Sequence, residues 1–176
     1  MSSFQPFFQD LSQPEYVHVL INPLPVYGLA MGVLALLIAF IARSRRAQVV
    51  ALLLIVVSAG SAWPVFIYGK KGYYRVHAMS DSVSQAWLDA HMHRAEKLIY
   101  IYYLTAAVSL IAIVAPIKWP KIASSLAAFT LILSIGLLCI GGNIAYAGGK
   151  IRHREFRNEP PPQDGMVEDH AVQADS

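Results

Sequence analysis

The chain has 176 residues, of which 56% are hydrophobic and only 14% charged, and its formal net charge is +3. An ordinary soluble domain carries about 25% charged residues, so this composition argues against a soluble domain and against a disordered chain. A lone cysteine, Cys139, allows no internal disulfide and no multi-cysteine metal site.

Residues 1–16 read as an N-terminal segment. Met1 to Tyr16 holds no Lys or Arg, so it lacks the positive region of a cleavable signal peptide. Four apolar stretches follow, at about 24–42, 47–69, 98–117 and 122–147, and none contains Asp, Glu, Lys or Arg. Each is long enough to cross about 30 Å of hydrocarbon as a helix. In lipid the backbone must bond to itself, and no barrel-type alternation is visible, so the spans are predicted as helices. Arg43-Ser-Arg-Arg46 and Lys118-Trp-Pro-Lys121 are tight links, which force antiparallel neighbours. The middle connection, 70–97, is much longer. Residues 17–149 are therefore expected to be an all-α transmembrane domain, a four-helix up-down-up-down bundle. Both termini and the long connection fall on one membrane face, here the histidine side. The tight turns carry Arg43, Arg45, Arg46, Lys118 and Lys121 with no acid, while all eleven acidic residues fall on the histidine side. Density of charge in short loops puts the turns in the cytoplasm, whereas the raw count of basic residues favours the reverse.

Helices in lipid associate through small residues. Gly28-Leu-Ala-Met-Gly32 in the first span, Ser58 to Ala62 in the second, and Gly141-Gly142 with Gly148-Gly149 in the fourth supply them. Pro64 is expected to kink the second helix or loosen its last turn. Ser82, with Gln85 three residues on, reads as a helix start. Nothing breaks a helix from there to Ala115, so the third span is predicted to carry a helical extension beyond the bilayer. Cys139, among Leu138, Ile140 and Gly142, reads as a buried, inert thiol. Residues 150–157 form a basic juxtamembrane segment. Residues 158–176 are acidic and Pro-rich and are expected to be disordered.

Polar residues are scarce, so the histidines stand out. His18 lies at the entrance of the first span, and His91 and His93 lie at the entrance of the third. Even numbers of crossings bring these to one membrane face with His77 and His153, while His170 is in the tail. Two histidines on different helices suit the axial positions of a haem b held inside a bundle. His18 with His91 or His93 is the candidate pair. The other reading is that these are interfacial side chains with no cofactor. A single copper or zinc shared by His18, His91 and His93, or a site from His93 and Glu96, is a further alternative. No CxxCH occurs, which excludes c-type attachment. No catalytic constellation, phosphate loop or intramembrane charge is present, so the chain is not expected to be an enzyme on its own. Its expected partners are the lipid bilayer and either another membrane protein or a second copy, with no nucleic acid.

Three fragments carry a resemblance: His18-Val-Leu-Ile-Asn-Pro-Leu-Pro-Val-Tyr-Gly28, His91-Met-His-Arg-Ala-Glu-Lys-Leu98 and Gly141-Gly-Asn-Ile-Ala-Tyr-Ala-Gly-Gly149. From about Tyr16 to Gly149 the chain resembles a family of small bacterial four-helix membrane proteins of unknown function, suspected of cytochrome-like character. By that resemblance His18 matches a first family histidine and one of His91 and His93 a third. The second falls at or near Asn22, a departure that removes any pair of histidines within the first helix. Gly142 and Tyr146 match the closing motif. The resemblance implies a multi-pass protein of the bacterial inner membrane. Two functions stand: a haem-binding redox subunit working at the histidine side, or a non-catalytic scaffold or accessory subunit without cofactor.

Overall fold

The structure, a computed structural model, describes residues 5–162. Its elements are α1 (Gln5–Asp10), α2 (Pro14–Ile21), a π-helical turn (Leu24–Gly28), α3 (Leu29–Ile41), α4 (Arg45–Gly60), α5 (Ala62–Ala78), α6 (Ser82–Lys118) and α7 (Ala123–Arg152). Short 3-10 turns occur at Pro120–Ile122 and Arg154–Phe156. The described residues contain no strand. The elements join into four rods long and apolar enough to cross a membrane: Pro14–Ile41, Arg45–Ala78, Ser82–Lys118 and Pro120–Arg152. Such a set is consistent with a multi-pass membrane protein. The second and third rods, 34 and 37 residues long, extend about 50 Å at 1.5 Å per residue, well past the hydrocarbon thickness.

Residues 70–97, expected as a long connection, are helical except for Met79 to Asp81. No proline interrupts Lys70 to Ala78, so α5 runs on above the bilayer-length stretch and packs beside the extension of α6. The cap of α6 is Asp81, one residue before the expected Ser82. Its carboxylate accepts the Ser84 N–H at 2.8 Å, as Asp does at an N-cap. Gln85 reaches back instead to the His77 carbonyl, at 3.0 Å.

Prolines explain the irregular points. Pro23 and Pro25 flank and enter the π turn, where two missing N–H donors disturb the regular ladder. Pro64 cannot bond to the Gly60 carbonyl, and the second rod is divided at Ser61 into α4 and α5. Pro116 leaves the Ala112 carbonyl without its helical donor. Arg45 supplies one from the neighbouring rod, Nη2 to Ala112 O at 2.8 Å, and steadies itself on Gln48 at 3.3 Å. That contact fixes the tight turn against the third rod. Within the turn, Arg43 has φ of +49°, and the Ser44 N–H bonds back to Ala39 O at 3.2 Å. This is a Schellman ending with Arg where Gly is usual.

The core is built of Leu29, Leu36, Leu52, Ile55, Tyr102 and Leu137. The small residues bring backbones together, as lipid-embedded helices need. A Cβ on Gly28 would lie 2.5 Å from Ser58 Oγ, and one on Gly32 would lie 2.8 Å from Ile55 Cγ1. Buried Thr105, Ser109 and Thr130 satisfy their hydroxyls on the carbonyl one turn back in their own helix. Outward faces carry Ile41, Val57, Ile117 and Ile132. Cys139 belongs with them: it is exposed, not buried as expected. The side of α7 that faces α6 is taken by Ser134, Leu137 and Gly141, and Cys139 lies between these positions on the other side. Of the segment expected to be disordered, only 158–162 is described, and 163–176 lies outside the described residues, as does His170.

Candidate functional site

His18 sits on α2, which Pro14 starts at a position where no helical donor is lost. Its Nδ1 lies 2.8 Å from the Val65 carbonyl oxygen on α5. Gly69, one turn beyond Val65, packs on the ring, and a Cβ there would stand 3.0 Å from Nδ1 and Cε1. His91 repeats the arrangement on α6. Its Nδ1 lies 3.0 Å from the Ile144 carbonyl oxygen on α7. Gly148, again one turn beyond, would bring a Cβ to 3.1 Å from the same two ring atoms. A carbonyl oxygen only accepts, so Nδ1 of each ring carries the hydrogen. In the neutral ring that leaves the lone pair on Nε2.

The two rings are neighbours in an edge-on arrangement. Their centroids are 6.3 Å apart and their planes are inclined by 78°. Four helical elements thus converge on one pair: α2 and α6 contribute the imidazoles, α5 and α7 the carbonyls and glycines that orient them.

Polar groups ring this pair on the outer side. Glu15, one turn before His18, accepts from Arg75 at 2.8 Å, and Gln13 accepts from the same guanidinium at 2.8 Å. A Cβ on Gly72 would lie 2.9 Å from Glu15 Cβ, so this glycine lets the N-terminal end of the first rod settle onto the second. Trp87, one turn before His91, is 1% exposed. Lys150, two residues after Gly148, is fully buried. Its ammonium lies 4.3 Å from the Trp87 ring centroid and 4.1 Å from that of Tyr146, and it pairs with Glu159. Tyr146 donates to the same carboxylate oxygen at 3.0 Å. The Lys150 and Tyr146 bonds hold the Glu159 carboxyl below the usual carboxylate range, with Arg94 adding to the effect. Arg94 itself bonds the carbonyl and side chain of Asn143, both at 3.1 Å. A second cluster lies across α5 and α6, where the Tyr73 hydroxyl donates to Asp89 at 2.5 Å and His77 lies 3.9 Å from the same oxygen.

His18 and His91 are therefore brought together, and His93 is not. It is exposed on the side of α6 away from His91, since two helical steps turn a side chain by about 200°. Asn22 is exposed at the end of α2. Glu96 pairs with Lys70 at 3.1 Å rather than with His93. His153 stacks on Phe156 with centroids 5.0 Å apart. Among the described residues no group of three His, Cys, Asp or Glu is placed to hold a metal ion. Lys150, expected in a basic juxtamembrane segment, is instead part of α7 and enclosed. Sequence reading also missed Val65, Gly69, Ile144 and Trp87. The one available signal was spacing: in each carbonyl helix a glycine stands four residues after the acceptor.

No family model matches the chain, and neither a curated protein nor a solved structure is significantly similar to it.

Proposed function

We propose that this chain is a membrane cytochrome of b type, crossing the bilayer four times up-down-up-down and holding haem b between His18 and His91. The observation that carries the reading is the 6.3 Å separation of two imidazoles whose Nδ1 atoms are both committed to main-chain carbonyls. A metal–imidazole bond is about 2 Å and a ring centre lies roughly 1 Å behind its nitrogen, so trans imidazoles on one iron have centroids about 6 Å apart. Two ligands suit a macrocycle, which brings four nitrogens of its own, better than a bare ion, which would need more protein donors than these. The family resemblance, with its bacterial inner-membrane setting, remains part of this proposal.

Bound there, the group supplies one-electron chemistry. The protein's contributions follow from its own atoms. The Val65 and Ile144 carbonyls fix the tautomer and direction of each ring and increase its basicity, the usual outer-shell role toward a ligating histidine. His18 and His91 would both hold the group, an arrangement that would favour electron transfer over binding of a small molecule. Gly69 and Gly148 let the carbonyl-bearing helices approach the rings. With no catalytic constellation beside the pair, the natural role is a redox subunit that exchanges electrons with a membrane partner.

The test is an absorption spectrum of the detergent-purified protein, expressed with ample haem, before and after dithionite. A Soret band with sharp reduced α and β bands is expected. His18→Ala and His91→Ala should each abolish the six-coordinate spectrum, and His93→Ala should preserve it. The nearly perpendicular rings also predict a strongly anisotropic low-spin ferric EPR signal, because each ring splits the iron dπ orbitals in opposite senses. A protein without a Soret band overturns the reading and leaves the accessory subunit without cofactor.

A further inference from the structure

Lys150 has no exposed surface, unlike any other charged side chain among the described residues. A buried ammonium is costly unless it is paired and bonded. Its carboxylate partner, Glu159, comes from beyond the end of α7 and is itself half-exposed. The intervening segment is strapped down by Arg154 to Asp81 at 2.9 Å and by Arg157 to Ser84 Oγ, Ile151 O and Lys150 O at 2.7–2.9 Å. Glu159 uses one oxygen for both Lys150 and Tyr146. A donor beside it stays unused: Trp87 Nε1 is buried and has no hydrogen-bond partner, although an indole N–H in such a place ordinarily finds one.

Position brings these two donors close to each other on the side of the histidine pair away from the core. Trp87 is one turn outward from His91 on the same face of α6. Lys150 is two residues outward from Gly148, the residue against which His91 packs. The Lys150 ammonium lies 4.3 Å from the Trp87 ring centroid, so a buried cation and an unpartnered indole N–H occupy neighbouring places one turn outward from His91. A haem b carries two propionates on one edge, and each is a carboxylate that needs a cation or N–H donors when buried.

We propose that Trp87 and Lys150 anchor one haem propionate, and that Glu159 is the chain's own carboxylate standing in for it. The inference rests on the haem reading above. When the propionate takes Lys150, Trp87 Nε1 gains its missing acceptor and Glu159 is released toward solvent, loosening the strap that Arg154 and Arg157 hold. Glu159 is then a competitor for the site, so its removal strengthens haem binding while removal of either donor weakens it.

The experiment compares wild type, Trp87→Phe, Lys150→Met and Glu159→Gln, each loaded with haem and with haem dimethyl ester, whose propionates are neutralised. The readouts are the rate of haem loss to excess apomyoglobin and the reduction midpoint. With haem, the Trp87 and Lys150 variants should lose the cofactor about tenfold faster than wild type, as loss of one charge-assisted bond implies. Glu159→Gln should lose it more slowly. With the diester, wild type should fall to the level of the variants and the differences should close. Equal loss of haem from all four proteins, or the same differences with the diester, overturns the anchor while leaving the axial pair intact. Should Lys150→Met fail to fold, the wild-type comparison of haem with its diester and the Trp87→Phe variant decide alone. A wild-type protein with no Soret band is a different failure: it removes the haem reading and this anchor with it.

Discussion

The N-terminal helix pair holds its histidine on the eight-residue α2, closed off by Asn22 and Pro23. The C-terminal pair holds its own inside the continuous 37-residue α6. Yet the local device is the same in both: Nδ1 donates to a carbonyl of the partner helix, and a glycine one turn beyond that carbonyl flanks the ring. What differs is the cover. Above His18 lies Glu15 with Arg75, in contact with the backbone of α5 through Gly72. One turn outward from His91, Trp87 meets a buried lysine that lies between two aromatic rings and is closed by a strap from the segment after α7. Equal tethering of the two rings therefore comes with unequal surroundings, one half tied by an ion pair whose arginine is exposed and the other by an ion pair whose lysine is buried.

The two glycines give the sharpest way to test whether the halves are equivalent. Gly69→Ala and Gly148→Ala would each push a methyl to about the same distance from a ring that is tethered by its carbonyl bond. Each should cost about 1–3 kcal/mol, as overpacking does, and each should shift the reduction midpoint. Thermal unfolding in detergent and a redox titration measure both. Similar effects support one device used twice, and an effect at only one glycine breaks the comparison.

Arg45→Ala probes the other end of the bundle. It strips the Ala112 carbonyl of the donor that replaces the one lost at Pro116, at a cost of about 1–3 kcal/mol for a polar group left unsatisfied. Unfolding midpoints should fall while the absorption spectrum stays that of the wild type. Restoration of stability in the double variant Arg45→Ala with Pro116→Ala would pin the cause to that carbonyl. Arg43→Gly should act in the opposite direction, raising stability by about 1 kcal/mol, since glycine accepts the left-handed backbone that Arg43 adopts.

The smallest effect is expected from acid. Asp81 and Glu159 both hold their carboxyls below the ordinary range, Asp81 through the Ser84 N–H and side chain and through Arg154, Glu159 through Lys150 and Tyr146. A carboxyl depressed by folding adds stability above its unfolded value and loses it as pH falls through the folded one. Acidification below the usual carboxylate range should therefore loosen the strap over the C-terminal pair. Hydrogen exchange across residues 153–162 at neutral and acid pH checks this, and Asp81→Asn should remove part of the pH dependence. Protection that does not change with pH would show that the strap owes nothing to these carboxylates.

Much of the fold could be read in advance because bilayer-length apolar runs are a property of composition along the chain. Pro64 announced where the second rod would be divided, and the Gly28 and Gly32 face did predict close helix contact. The site was half legible. His18 and the pair His91 and His93 stood out as rare polar residues at the span entrances, but the two candidates on α6 lie about 200° apart. Only the direction from which α7 packs selects His91. Val65 and Ile144 were illegible for a different reason: their contribution is a main-chain carbonyl, which every residue has, so no side chain marks the position. Lys150 looked like part of a basic fringe, because a sequence does not say that the segment after α7 will fold back to cover it.

By itself, then, the sequence determined the apolar rods, the tight arginine-rich turn, the breaks and the end of the bundle at which the histidines lie. These depend on hydropathy, missing N–H donors and connection length, all local along the chain. The tertiary structure decided which imidazoles come together, which carbonyls orient them, and that Lys150 is buried against Trp87 and Tyr146. Those outcomes depend on the rotation of each helix about its own axis, and that rotation is set by packing between segments far apart in sequence.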